Sequence, residues 1–251
     1  MTALSVINVS RQFGGVRAVD DVSIAIPTGE RRALIGTNGA GKTTLFNIVH
    51  GQIAPSSGRI ELFGSDVTRR STHRRAQLGV ARTFQITSLF PRLSVLDNTI
   101  IAVNALAPWH FVWHRPLACY PAAEKRARAL LERWGLGGLQ DVSVRDLSYG
   151  KQRQLEIVMS LAGEPRLLLL DEPMAGLSAA ETAIAADMIR SLDRSITVLM
   201  IEHDLTAAFA IADRVTAMDR GRIVADGTPE ELRNGALLTG IVASGSATAR
   251  D

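Results

Sequence analysis

The sequence predicts an α/β fold, and three features carry that prediction. Stretches with strand-like and helix-like spacing alternate along most of the chain. A glycine-rich turn joins a short apolar strand at 32–36 (RALIG) to a helical stretch at 42–51 that Gly51 ends. A run of four leucines, Leu167 to Leu170, fits a strand buried on both faces, as strands of parallel sheets are.

The remaining elements follow in order. Residues 4–9 (LSVINV) and 22–27 (VSIAIP) read as early strands, and 58–63 (GRIELF) as another after the Pro55–Ser57 turn. From about 86 to 163 the pattern turns mostly helical. Ser94 followed by Asp97 resembles a helix-start capping pair, and 122–134 and 149–163 carry helical apolar spacing. Strand signals return at 166–170 (RLLLL), 196–201 (ITVLMI), 214–218 (RVTAM) and 222–225 (RIVA). The tail 243–251 is small and polar and is expected to be disordered. This organisation reads as one domain over 1–242, its core formed by about 1–85 and 164–242 with a helical insertion at about 86–163.

Composition excludes several classes. With 251 residues, 46% of them hydrophobic, the chain can bury a sizeable core. A net charge of +3 without a dense basic tract argues against nucleic acid as a partner. The short scatter Arg69, Arg70, His73, Arg74 and Arg75 reads as a solvated helix face. A lone cysteine, Cys119, fits a reducing compartment. The opening residues MTALSVINVS lack the pattern of a signal peptide, and nothing approaches about 18 consecutive apolar residues. Action at a membrane would therefore use another protein's spans.

Two motifs carry chemistry. Gly36-Thr37-Asn38-Gly39-Ala40-Gly41-Lys42-Thr43, followed by Thr44, matches the phosphate-binding loop G-x-x-x-x-G-K-[ST], with a strand before it and a helix after it. Glycines let the backbone approach phosphates and turn its N–H groups inward, and the helix N-terminus adds partial positive charge. Lys42 is expected to reach the β- and γ-phosphates, and the Thr43 hydroxyl to ligate Mg²⁺. Downstream, Asp171 and Glu172 end the leucine strand. Two acids there are costly unless a cation neutralises them. Mg²⁺ is the expected cation, with Asp171 holding it directly or through water and Glu172 orienting or deprotonating the attacking water.

These motifs, with what lies around them, resemble the ATP-binding-cassette family across nearly the whole chain. Leu147-Ser148-Tyr149-Gly150-Lys151-Gln152-Arg153 looks like the family's LSGGQ signature, with Tyr149 for the first glycine of its pair and Lys151 at the last place. The resemblance implies that Leu147–Gly150 binds the γ-phosphate of ATP held by a second cassette subunit, so that two chains sandwich two nucleotides. Gln85, in Arg82-Thr83-Phe84-Gln85, stands at the Q-loop position, implying contact with Mg²⁺ and the attacking water. His203, in Ile201-Glu202-His203-Asp204, matches the switch histidine that touches γ-phosphate; Phe13 fits the adenine-stacking aromatic. Ala175-Gly176-Leu177-Ser178 fits the D-loop, with Ser178 for the usual Asp or Asn. The implied architecture is a P-loop NTPase ABC cassette: a RecA-like mixed-sheet core, an antiparallel β subdomain and an inserted helical subdomain. The stretch between Gln85 and Leu147 lacks the long heptad run of DNA-maintenance ATPases that share the signature.

The resemblance narrows to the ATPase subunits of branched-chain amino-acid importers, on Phe13-Gly14-Gly15, Gly79-Val80-Ala81-Arg82-Thr83-Phe84-Gln85, Leu147-Ser148-Tyr149-Gly150 and Gly227-Thr228-Pro229-Glu230-Glu231-Leu232. It implies a second ATPase, transmembrane permease subunits, a periplasmic solute-binding protein, and a peripheral place on the cytoplasmic face of the inner membrane. Related cassettes serve urea, other organic solutes and lipopolysaccharide or lipid transport. The end departs from the subfamily at Leu237-Leu238-Thr239-Gly240. The segment 104–121, with Trp109, Phe111, Trp113 and Tyr120, is expected to pack on the helical region, with contact to a permease or membrane surface as the alternative.

Overall fold

A computed structural model describes residues 1–83, 89–105 and 120–234. Phe84 and Gln85, Trp109, Phe111, Trp113, Cys119, Leu237–Gly240 and the tail 243–251 lie outside the described residues. The strands are β1 (Thr2–Phe13), β2 (Val16–Pro27), β3 (Arg31–Gly36), β4 (Ser57–Leu62), β5 (Ser65–Asp66), β6 (Val80–Arg82), β7 (Leu167–Asp171), β8 (Thr197–Ile201), β9 (Arg214–Asp219) and β10 (Arg222–Gly227). The helices are α1 (Lys42–His50), α2 (Thr72–Gln77), α3 (Val95–Asn104), α4 (Pro121–Arg133), α5 (Tyr149–Leu161), α6 (Ala179–Arg190), α7 (Leu205–Ile211) and α8 (Pro229–Asn234).

Two sheets result. A four-stranded sheet has the order β2-β1-β4-β5, antiparallel throughout; a six-stranded sheet has the order β10-β9-β3-β8-β7-β6. In the larger sheet β6, β7, β8, β3 and β9 run parallel, and β10 joins as an antiparallel edge. The mixed sheet beside a separate antiparallel sheet matches the architecture expected from the sequence.

Alternation along the buried strands divides the interior into two layers. Leu168 and Leu170 of β7, with Ala33 and Ile35 of β3 and Val198 and Met200 of β8, face helices α3 to α7. Leu167 and Leu169, with Leu34, Leu199 and Ile201, face the opposite way. There they meet Leu45, Phe46, Ile48 and Val49 of α1 and the apolar face of the antiparallel sheet. A strand covered on both sides has no polar face, which is why 167–170 is all leucine. Helices α3, α4 and α5 fall in the chain between β6 and β7, and Ser94 caps α3 by accepting from the Asp97 amide at 3.0 Å.

One expectation is corrected. The basic scatter at 69–75 is not a fully solvated face, because Arg75 of α2 is buried to 1% exposure. Its Nη1 donates to the carbonyls of Ile48 and Val49, both at 2.7 Å. Its Nη2 donates to Val67 and Thr68 and its Nε to Arg70. The guanidinium bonds carbonyls at the end of α1, a cation at a helix C-terminus. A six-residue helix is too short for periodicity to show which of its arginines turns inward. Close contact also constrains the neighbouring turn: a Cβ on Gly51, whose φ is +91°, would lie 2.8 Å from Arg75 Nε.

Buried acidity marks the exit of β8. Glu202 is buried to 3% exposure and accepts from the Met174 amide at 3.2 Å. Burial pushes its carboxyl up from 4.5 to about 7; the charges of Glu172 and Asp204 act in the same direction, and the amides of Met174 and His203 oppose.

Arg75→Ala is expected to lower unfolding free energy by about 3 kcal/mol or more, since it strands several buried carbonyls; urea denaturation measures the loss. Folding raises the Glu202 pKa, so the folded chain holds the extra proton between its ordinary value and about 7. Stability therefore falls as pH rises across that window, by an amount on the order of 3 kcal/mol, and stays reduced above it. Glu202→Gln is expected to remove that component. The variant should melt above the wild type at pH 8 and close to it at pH 4.5, in thermal scans at both pH values.

Candidate functional site

The carboxyl ends of the adjacent parallel strands β6, β7, β8 and β3 lie at one edge of the larger sheet, where open α/β sheets bind ligands. The chain leaves β3 into the loop 36–41, leaves β7 at Asp171 and Glu172, and leaves β8 at Glu202 and His203.

The loop is shaped by close backbone packing. Gly41 has φ +98°, and a Cβ there would sit 2.2 Å from the Ala18 carbonyl oxygen. Gly36 has φ +149°, and its Cβ would sit 2.2 Å from the Met218 carbonyl oxygen. Glycine is thus forced at both positions by conformation and by space. Gly41 is the N-cap of α1, so the first amides of that helix point into the loop. Lys42 is buried, and its Nζ donates to the carbonyls of Gly36 at 2.7 Å and Thr37 at 2.9 Å. Burial pushes its ammonium below the usual lysine range, and the negative charge of Glu172 opposes that shift.

Asn38, Gly39, Ala40, Gly41, Lys42, Thr43, Thr44, Glu172 and His203 line one cavity of about 420 Å³, together with Ala18. The structure therefore brings the loop, the expected base and the expected switch histidine into one place. Glu172 takes φ +48°, a left-handed conformation that costs a non-glycine residue about 1 kcal/mol or more. Its amide donates to the Ile201 carbonyl at 3.0 Å, which ties the end of β7 to the end of β8. Glu172 Oε1 and His203 Nε2 are 2.7 Å apart. Asp171, buried to 2% exposure, lies behind this cavity rather than on its lining.

Phe13 and the signature residues stand elsewhere. Phe13 ends β1, is 43% exposed, and carries the Arg11 guanidinium 4.6 Å from its ring centroid. Leu147 to Gly150 open α5: Ser148 is the N-cap and accepts from the Lys151 amide at 3.3 Å, and Ser148 and Tyr149 are exposed. None of the four lines the cavity. The Tyr149 hydroxyl donates to the Ala175 carbonyl at 3.3 Å, and its ring covers Gly176, so the substituted signature position fastens onto the D-loop segment. Ser178, at the usual Asp or Asn position, caps α6 in a reciprocal capping box with Glu181.

Three residues near the site were not singled out from the sequence. Arg82, at the end of β6, pairs with Asp171, Nη2 to Oδ2 at 2.8 Å, with both side chains buried. The counter-charge expected solely from Mg²⁺ is thus supplied in part by the chain itself. The motif Arg82-Thr83-Phe84-Gln85 contained the residue, but nothing local showed that β6 would lie beside β7. Thr83 accepts from the Asp171 amide through its hydroxyl at 3.2 Å. Glu202 is the third; its acidity depends on burial that only the assembled sheet creates.

The donors present suit magnesium. The Thr43 hydroxyl and the Asp171 carboxylate are hard oxygen ligands of the kind Mg²⁺ takes. Among the described residues no group of three or more His, Cys, Asp or Glu side chains could hold a metal, so a cation here would complete its shell with phosphate oxygens and water.

Comparison with known proteins agrees with this geometry. The family model for ABC transporters matches residues 19–175. The chain is 35% identical to the high-affinity branched-chain amino acid transport ATP-binding protein BraF of Pseudomonas aeruginosa, over 92% of this chain and 93% of that one. It is 37% identical to LivG of Salmonella typhimurium, of the same description, over 92% and 93%. An Fe(3+) ions import ATP-binding protein, FbpC of Photorhabdus laumondii, is 34% identical over 90% of this chain and 61% of its own. Among solved structures, a nucleotide-free ATP-binding cassette from an ABC transporter superposes with a TM-score of 0.86 at 27% identity, covering 96% of this chain and 98% of that one. The ADP conformation of MJ1267, an ATP-binding cassette of an ABC transporter, gives 0.80 at 27% identity, covering 97% and 98%. By its matched family, its relatives and the residues gathered at the sheet edge, the chain belongs to the ABC transporter family, as an ATP-binding and ATP-hydrolysing subunit.

Proposed function

We propose that this subunit powers an importer of branched-chain amino acids or a related small solute, and that it works as one of two cassettes closing around ATP. The observation that carries the ATPase mechanism is the cavity shared by Lys42, Thr43, Glu172 and His203. Identity to BraF and LivG over nine-tenths of the chain supports the solute class. A similar level of identity to an iron importer's subunit agrees with solute choice residing in the permease and the binding protein.

In this reading residues 1–242 form a single cassette domain, with the helices between 86 and 163 as its insertion. ATP phosphates take the inward amides of 38–44 and exchange for the loop carbonyls on Lys42 Nζ. Phe13 stacks on adenine. Thr43 and Asp171, the latter directly or through water, would hold Mg²⁺, with Gln85 as the family resemblance implies, and the ion would supply charge stabilisation to the phosphates when bound. Glu172 positions water in line with the γ-phosphorus, and its fixed left-handed backbone and contact with His203 restrict where its carboxylate points. His203 then serves the γ-phosphate. The Ser148 N-cap of a second subunit closes the other side, through the exposed start of α5. Among the described residues no helix is long and apolar enough to cross a membrane, so coupling to solute movement needs permease subunits. The chain would then lie peripherally at the cytoplasmic face of the inner membrane, with a periplasmic solute-binding protein as an indirect partner.

Glu172→Gln is expected to reduce phosphate release by about 100-fold or more while ATP still binds, and to accumulate an ATP-dependent dimer. Turnover by malachite green and dimer by size exclusion measure the two effects; wild-type turnover would remove Glu172 from the base role. Lys42→Ala is expected to weaken ATP binding by about tenfold or more, in a fluorescent-nucleotide titration.

A further inference from the structure

Arg82 makes more polar contacts with the phosphate-loop helix and the β7 acid than any mechanism assigned above uses. In the β6–β7 register it stands opposite Leu169, and Asp171 follows on the same face of β7 two residues later. Both side chains therefore turn toward α1. Nη2 donates to Asp171 Oδ2 at 2.8 Å, and Nη1 donates to Asn47 Oδ1 at 2.6 Å and to Gln52 Oε1 at 3.0 Å. The guanidinium also lies 5.2 Å from the Phe46 ring centroid. Asn47 and Phe46 belong to α1, the helix that begins at Lys42; Gln52 follows its C-cap.

One planar cation thus spans three elements whose relative placement sets the distance between the phosphate loop and the β7 acid. A guanidinium suits this task because its fork fixes several acceptors in one plane, which an ammonium cannot do. Its charge has a second effect. A carboxylate sharing Oδ2 with a buried cation presents less negative charge to anything else, and two cations at one carboxylate repel.

We propose that Arg82 is a positioning residue that locks Asp171 to the phosphate-loop helix and, as a resident counter-charge, sets how much divalent cation the site requires. The inference rests on the reading that Asp171 faces Mg²⁺. Arg82 compensates Asp171 before the cation arrives, so the fold tolerates this acid at a doubly buried strand end. The same charge weakens the attraction for Mg²⁺, so cation enters with nucleotide phosphates rather than alone.

The test is a Mg²⁺ titration of melting temperature on the full chain with ADP present, starting from EDTA, for the wild type, Arg82→Gln, Arg82→Lys and Asp171→Asn. Removing the positive charge is expected to shift the Mg²⁺ midpoint of Arg82→Gln about tenfold lower. Arg82→Lys keeps the charge and loses the fork, so it should melt lower yet titrate within about twofold of the wild type. A purely structural Arg82 would lower both melting points and leave both midpoints in place, and that result overturns the proposal. So does an equal midpoint shift in the two variants. Should Arg82→Gln fail to fold, the double variant Arg82→Gln with Asp171→Asn decides: recovery of folding supports the charge pair, and continued unfolding overturns it. Asp171→Asn alone should raise the midpoint. An unchanged midpoint there would overturn the metal reading itself, separately from anything the arginine variants show.

Discussion

Charge compensation at the carboxyl edge of a doubly buried sheet is the constraint on which the rest of this structure depends. The inner strands β7 and β8 of the six-stranded sheet are covered on one side by helices and on the other by α1 and the antiparallel sheet, so Leu167 to Leu170 and Val198 to Ile201 are all apolar. Function then needs acids and a lysine where those strands stop. An uncompensated buried carboxylate costs about several kcal/mol. The chain meets that cost locally: Asp171 has Arg82, Lys42 has two loop carbonyls and the nearby charge of Glu172, and Glu202 stays largely protonated below about pH 7. Each solution draws on a different strand, so the site exists only when β3, β6, β7 and β8 stand side by side.

That dependence explains how far the sequence could be read. The phosphate loop and the leucine strand were legible because each is continuous in the chain and each residue's type follows from a local need. Gly36 and Gly41 answer the loop's own positive φ values, and Leu167 to Leu170 answer two-sided burial. The helix starts at Ser94 and Ser148 were equally local, since an N-cap bonds an amide three residues on. Arg75 and Arg82 were not legible in the same way. Their partners lie on α1 and β7, far off in the chain, and a basic residue in a polar stretch carries no mark of the carbonyls it will meet. The roles of Phe13 and of the Leu147–Gly150 segment came from family likeness. Within a single chain those residues stand away from the cavity that the phosphate loop lines.

Tyr149 and Ser178 show how a departure from a motif can be absorbed. A tyrosine in place of glycine at the start of α5 adds bulk where the proposed mechanism brings a second subunit's γ-phosphate. The ring is laid over Gly176 and its hydroxyl is bonded to Ala175, which leaves the Ser148 N-cap exposed. Ser178 forgoes a carboxylate and caps α6 with Glu181. The start of α5 and the segment 175–178 are therefore in contact within one subunit.

From this follows a view of how ATP gains leverage over the assembly. Lys42 already holds two hydrogen bonds within its own loop, so phosphate binding to one subunit exchanges partners rather than adding them, and the net gain is modest. At the exposed N-terminus of α5 the Gly150 amide is held by the Glu181 carboxylate and the Lys151 amide by the Ser148 hydroxyl. In the proposed pair, a γ-phosphate presented by a second cassette takes over such amides as a charged acceptor in a site that closure dries, where each bond is worth more. The larger share of binding free energy is thus released on closure. A ligand shifts an equilibrium only through its difference in affinity for the two states, and here that difference resides in the second contact. On the proposed mechanism, loss of the γ-phosphate would remove that contact while the P-loop keeps the rest of the nucleotide, so hydrolysis would open the pair without first emptying the site.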